Sequence, residues 1–268
     1  MSKGNPAEKG NAQPATSRAG MEAAACVGLG TTDNGSGLDV EVDEYDELLA
    51  SIGRSFDQDV RIATHEAGHA LASRLLGQEV GGMTVNPDTA RGYEGLCWGI
   101  GHTEAFAEGR GDASDVRDVL RPMMPQAGED RRPVADVFGS VYDKCIELLA
   151  GQAAERMVLD GEPAAPADDL RQARALALLI CNSEEAIAAF LAFCGAAARD
   201  LLMPYGDVVM VLSIVLRMKR TLEGPEIDEI ISDVQARKSV AVERARRRQW
   251  QRVIENAATF RAADCERA

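Results

Sequence analysis

The chain is short of aromatic residues and shorter still of histidine. Rings make up 4% of its 268 residues, and there are three histidines. With 46% hydrophobic residues, the core must therefore be filled mainly by aliphatic and small side chains, which favours packed helices. Cysteine pairs are missing as well. Cys26, Cys97, Cys145, Cys181, Cys194 and Cys265 are scattered, and none forms a CxxC unit. This spacing supports neither a cysteine-held zinc nor a disulfide framework, and reads as the reduced thiols of a cytoplasmic protein. Long apolar runs are lacking too. The longest, residues 186–198 and 208–216, each stop at an arginine, short of the ~18–20 residues that span a bilayer, so no membrane contact is expected. The N-terminus has no charged start followed by an apolar stretch, as a signal peptide would. Positive charge is the minority sign: 29 Lys and Arg against 43 Asp and Glu give a net charge of −14. Such a surface repels nucleic acid, which argues against a nucleic-acid partner.

What the chain does have is concentrated in five residues. Residues 65–69 read His-Glu-Ala-Gly-His and hold two of the three histidines. On a helix, residues i and i+4 lie on one face about a turn apart. Two imidazoles so placed suit one tetrahedral Zn2+, and the intervening glutamate can act on a metal-bound water. Zinc lowers the pKa of that water to about 7, which makes a nucleophile available for a peptide carbonyl. The surroundings predict a helix. Val60, Ile62, Ala63, Ala67, Ala70, Leu71, Leu75 and Leu76 recur at helical spacing, Ser55 or Asp57 can cap the start, and Gly77 follows the last periodic residue. Gly68 is costly inside a helix, and close approach of another segment near the metal would explain it.

Along the chain, residues 1–38 lack periodicity and read as a disordered leader. Residues 39–50 begin a short helix. The stretch 78–106 is broken by glycines and Pro87 into short β-type runs, read as a small sheet with a hairpin. Residues 107–133 read as a loop or flap. Helices are expected over 134–160, from Asp168 and Asp169 to about residue 182, two or three more over 184–222, and a final one over about 226–258 after the Gly224-Pro225 break. The fold class is mainly α, with a small β-sheet beside the zinc helix.

A catalytic zinc needs a third protein ligand and an open position. A histidine six residues after His69 would serve, but Leu75 stands there. Glu94 is the only glutamate in the β-type stretch 81–100, and His102 sits in a glycine-rich loop. The residues alone leave the third ligand open.

Three ordered motifs narrow the choice. Ala150-Gly-Gln-Ala-Ala-Glu is followed by Ala167-Asp-Asp-Leu, and both follow Thr64-His-Glu-Ala-Gly-His-Ala. With Ala198-Arg-Asp-Leu-Leu, the run 212–222 and Glu223-Gly-Pro-Glu-Ile, they resemble the proteolytic domain of the FtsH-type AAA+ zinc metalloproteases over roughly residues 57–232. The resemblance implies that His65, His69 and Asp169 hold Zn2+, that Glu66 is the catalytic base, and that an edge strand near Gly95-Leu-Cys-Trp pairs with a protein or peptide substrate. Asp168 stands where the family has asparagine, and Glu155 is the runner-up ligand. The resemblance also implies a ring of six. No GxxxxGK[ST] phosphate loop is found, so the expected activity is that of a soluble, ATP-independent zinc metallopeptidase acting on unfolded or flexible segments. The rival is a non-catalytic or partner-dependent regulatory or binding protein that kept this fold. Residues 39–232 are expected to form the peptidase domain and 233–268 a basic C-terminal helix. Within 237–252, Arg237, Lys238, Arg244, Arg246, Arg247, Arg248 and Arg252 face Glu243 alone, a net charge of +6. Such a helix suits an acidic partner, a separate ATPase or the chain's own acidic segment 39–59.

Overall fold

The computed structural model describes residues 43–100, 112–163 and 167–265. The leader at 1–38, His102 and the first part of the expected flap lie outside the described residues. The chain from residue 43 onward is mainly helical, with a small three-stranded antiparallel sheet. The mainly-α fold read from composition and periodicity is therefore the one observed.

A short helix α1 (Glu44–Ser51) leads into α2 (Phe56–Leu75), the histidine-bearing helix. Ser55 caps α2 through a capping box with Gln58, as the sequence allowed, and satisfies main-chain N–H groups that the first turn leaves unpaired. Gly77 adopts φ 78° just past its end. One face of α2 carries Ala63, Ala67, Ala70 and Leu71, all fully buried. That face lies against α4 (Ala135–Val158) and α7 (Gly206–Lys219).

Gly68 shows why α2 and α4 come so close. A Cβ at this position would lie 2.6 Å from the Ala154 Cβ and 2.7 Å from the Ala150 carbonyl oxygen. Real side chains do not tolerate such contacts, so the Ala150-Gly-Gln-Ala-Ala stretch of α4 and Gly68 of α2 are small for one reason: the helix backbones touch. The sequence requirement for close approach at Gly68 is met by α4.

The sheet has the order β2-β1-β3, with β1 (Val80–Thr84), β2 (Leu96–Gly99) and β3 (Thr221–Glu223). The hairpin β1–β2 follows the expected glycine-broken stretch. β3 does not appear in the reading of the sequence, because three residues between two helices carry no readable period. Met83 is central: it pairs with Cys97 on one side and Leu222 on the other, and it is fully buried. On the opposite face the Trp98 indole covers the backbone of Gly81 and Gly82, where a Cβ at Gly81 would lie 2.7 Å from the indole Cδ1. Among the described residues β2 pairs with β1 alone, so its other edge is open.

Part of the expected flap is a helix, α3 (Ala113–Leu120), capped by Asp112. It packs against α5 (Ala167–Ala177). Helices α6 (Glu184–Leu202) and α7 close the core. By length and composition the stretch Glu184–Lys219 is apolar enough to cross a bilayer. It is nevertheless two helices, broken by a 3-10 turn at Met203–Tyr205 that contains Pro204. It also supplies Ile187, Ala198, Leu202, Val209, Leu212 and Leu216 to the buried core. Gly224 and Pro225 begin the last helix, α8 (Gly224–Cys265), rather than merely ending what precedes it. Its first turns pack on α7 and the sheet, and beyond residue 235 it is almost wholly exposed. Of the cysteines, Cys145 and Cys194 are buried and Cys97 and Cys181 half-buried, all as free thiols.

Candidate metal centre

Three helices converge on one point. α2 brings His65 and His69, one turn apart on the same face, and α5 brings Asp169 in its first turn. Ligand atoms of these three residues all lie within 4.8 Å of one another. Asp169 Oδ2 is 2.9 Å from His65 Nε2 and 3.4 Å from His69 Nε2. The far side of each ring is held by α4. His65 Nδ1 is 2.7 Å from Glu155 Oε1, and His69 Nδ1 is 2.7 Å from the main-chain carbonyl oxygen of Glu147.

This arrangement sets the chemistry. A carbonyl oxygen only accepts, so His69 Nδ1 must donate to Glu147. The Glu155 carboxylate, which also contacts Arg61 at 3.5 Å, draws the proton of His65 to Nδ1 in the same way. In neutral imidazoles both Nε2 atoms then present lone pairs toward a carboxylate that also has only lone pairs. Three acceptors facing one another need a positive charge between them. A divalent metal ion meets that need, and the carboxylate–histidine pairing behind His65 is the kind that orients metal-bound imidazoles. With protons as the only cations, the same demand shows in the titration of the site. Burial disfavours the His65 imidazolium, but the bonds to Asp169 and Glu155 outweigh it and push the pKa up to about 10. His69 moves upward too, with its burial overcome by Asp169. Burial likewise disfavours the Asp169 carboxylate, yet the two histidines hold its pKa well below the usual carboxylate range. The donor set therefore fits zinc, with two nitrogens and one oxygen.

Gly151 completes the cradle. A Cβ there would lie 2.6 Å from His65 Nε2 and 2.6 Å from His69 Nε2. The small residue in the Ala150-Gly-Gln stretch thus leaves space for the converging rings, and no periodicity in the sequence reveals that role. Gly151→Ala should displace the imidazoles while leaving α4 helical. The expected result is a zinc affinity lower by about 10–100-fold, the range seen when groups supporting metal ligands are disturbed. Zinc titration of the variant, with circular dichroism to confirm its helix content, is the check.

Glu66 sits on the same helix between the two histidines and is buried. Desolvation raises its pKa, with the neighbouring imidazoles pulling the other way. A carboxylate raised toward neutrality is better matched to proton transfer near pH 7. The chain approaching β2 passes directly over it: a Cβ at Gly95 would lie 2.7 Å from Glu66 Oε1 and 2.6 Å from the Ile62 Cγ2.

The other candidate ligands do not join this group. Asp168 lines the same cleft but bonds instead to Arg171 at 2.7 Å and to Gln172 at 2.7 Å. Glu155 backs His65 rather than joining the three-residue group. Glu94 lines the cleft, and its main-chain oxygen accepts from Arg54. His102 lies outside the described residues. The cleft around the group measures about 1310 Å³. It is bounded by residues 91–99 on one side and by Val116, Leu120, Val137, Val141, Leu148 and Leu176 on the other. The Arg171 side chain ties α5 to Asp112 at the start of α3, and so anchors that apolar wall.

Fold and site together describe a helical domain in which two histidines and one aspartate, a group that could hold a metal ion, converge beside a buried glutamate. In sequence the chain is similar to the ATP-dependent zinc metalloprotease FtsH 1 of Symbiobacterium thermophilum, with 28% identity over 199 residues. The match covers 64% of this chain and 29% of that protein, so the chain spans less than a third of its relative's length. No family profile matches the chain. The similarity supports an FtsH-like relationship at the level of the family, and with it a possible zinc metallopeptidase.

Proposed function

We propose that this chain is a zinc metallopeptidase that hydrolyses peptide bonds in unfolded or flexible protein segments. The observation that carries the reading is the convergence of three lone-pair donors, from His65, His69 and Asp169, beside a buried Glu66 on the wall of a large cleft. Zinc held by those three residues supplies a Lewis acid and acidifies water at the site. The chain's own groups do the rest. Glu66 takes a proton from the water that attacks the scissile carbonyl carbon. It then delivers that proton to the departing amide nitrogen as the C–N bond breaks. Glu155 and the Glu147 carbonyl keep both imidazoles in the tautomer that points Nε2 inward. The open edge of β2 offers main-chain donors and acceptors to an extended substrate. A folded segment has its backbone groups already paired, which is why flexible substrates are favoured.

The test is metal analysis of the purified chain together with cleavage of a flexible protein such as casein, with and without a chelator. Near-stoichiometric zinc and chelator-sensitive cleavage are expected. Stoichiometric zinc with no cleavage would favour a binding or regulatory protein built on the same fold.

The exposed part of α8 supports a separate role. With a net charge of +6 over residues 237–252 in a chain of net charge −14, it suits contact with an acidic surface, in another copy of the chain or in a separate partner. Deleting residues 237–268 is expected to leave zinc content and short-peptide turnover nearly unchanged, and to weaken assembly in a salt-dependent way. Sedimentation mass and peptide turnover at low and high salt are the measurements. Loss of turnover at unchanged mass would sink the docking role.

A further inference from the structure

A second polar cluster lies at the start of α2, away from the metal ligands, and the proposed chemistry does not use it. Asp59 is fully buried. Its carboxylate accepts from Tyr45 Oη at 2.6 Å, from Arg54 Nη1 at 2.9 Å, and from Arg220 Nη1 and Nη2 at 2.7 and 3.0 Å. Two guanidinium groups, one buried and one half-buried, on a single carboxylate leave excess positive charge, which must be met by further acceptors. Main-chain carbonyls meet it. Arg54 Nη1 and Arg220 Nη2 both donate to the Val85 oxygen, at 2.6 and 3.1 Å. Arg54 Nη2 alone reaches across to the Glu94 oxygen, at 2.7 Å.

Val85 directly follows β1, and Glu94 lies two residues before the start of β2. The Arg54 fork therefore spans the two ends of the hairpin loop and pins both to Asp59. Asp59, Ile62 and Glu66 lie on one face of α2 at helical spacing. The segment fixed at Glu94 continues as Gly95, in van der Waals contact with Ile62 and Glu66. The carbonyl that Arg54 holds is thus one residue from the backbone that packs on the buried glutamate, and two residues from the start of the open strand edge.

We propose that Arg54 is a positioning residue for substrate: through the Glu94 carbonyl it sets the height of the β2 edge above Glu66 and the metal-binding group. The proposal rests on the peptidase reading for its functional meaning, but its structural core can be measured without activity. Lysine at position 54 keeps a positive charge beside Asp59, but it has no planar fork to reach Asp59, Val85 and Glu94 together. Arg220 is the internal control. It shares Asp59 and Val85 with Arg54, lies in the same cluster, and makes no contact with Glu94.

The experiment compares Arg54→Lys with Arg220→Lys in the full chain. Zinc content should stay stoichiometric in both. Amide hydrogen exchange over residues 94–99 should rise at least about tenfold more in Arg54→Lys, as for the loss of one charge-assisted hydrogen bond. KM for an extended peptide should rise by about tenfold in Arg54→Lys with kcat changed much less, while Arg220→Lys leaves KM near its starting value. Equal exchange in the two variants, or a rise in neither, overturns the proposal. If Arg54→Lys does not fold, Asp59→Asn loosens the same anchor, and unchanged exchange at 94–99 in that variant overturns it equally. Failure of the wild-type chain to cleave any peptide would count against the peptidase reading, whereas equal exchange in the two variants counts against Arg54 alone.

Discussion

Replacing Glu66 with glutamine is expected to leave a folded, zinc-loaded chain that has lost about 10²–10⁴-fold in peptide turnover, the contribution of a positioned general base. The amide is nearly isosteric with the carboxylate and keeps the contact with Gly95. Glu66 is not among the three residues whose ligand atoms converge, so zinc content should match that of the wild-type chain. Glutamine cannot take up a proton from water, and the loss should therefore fall on kcat. The measurements are zinc stoichiometry and steady-state turnover on the same preparation. Near-normal turnover by Glu66→Gln would remove Glu66 from the mechanism.

The second large effect is expected at Asp169. Among the described residues Asp169 is the only carboxylate within reach of both inward imidazole nitrogens, and Asp169→Ala should sharply reduce bound zinc. Asp168→Ala, one residue earlier, should retain zinc, because that side chain is engaged with Arg171 and Gln172 rather than with the histidines. Glu155→Ala should be intermediate, about 10–100-fold in zinc affinity, since it frees the His65 ring without removing a ligand. Zinc titration of the three variants separates the roles. Stoichiometric zinc in Asp169→Ala with loss in Glu155→Ala would transfer the third-ligand role to Glu155.

Much of the architecture could be read from the residues because it depends on period. The apolar spacing around residues 60–76, the Ser55 cap and Gly77 define α2 almost to its ends. The glycine-broken stretch marked the β1–β2 hairpin. Gly68 signalled a close neighbour by being a poor helix former in a strong helix. What escaped depends on contacts between distant segments. Nothing local distinguishes Asp59 or Arg220 from solvated charges, and only the fold brings them together with Arg54. The same holds for Gly151, whose role is the space it leaves beside rings 82 and 86 residues earlier, and for β3, which is fixed by pairing with β1. For the candidate site, spacing alone gave two histidines and a glutamate. Asp169 came from resemblance to a family, since a ligand about 100 residues away on another helix has no signature of its own.

The open edge of β2 has a consequence for the molecule in concentrated solution. Unpaired strand edges are templates for any extended chain, including the edge of another molecule, and they are a common origin of aggregation. Here the exposed edge is four residues long, from Leu96 to Gly99. It lies in a cleft between α2 and the α3 and α4 walls rather than on a flat face. A flexible peptide is expected to enter such a recess more readily than the rigid rim of another sheet. A recessed edge of this kind would select for chain flexibility, and the protein is expected to resist edge-to-edge association at concentrations where a flat open edge would not.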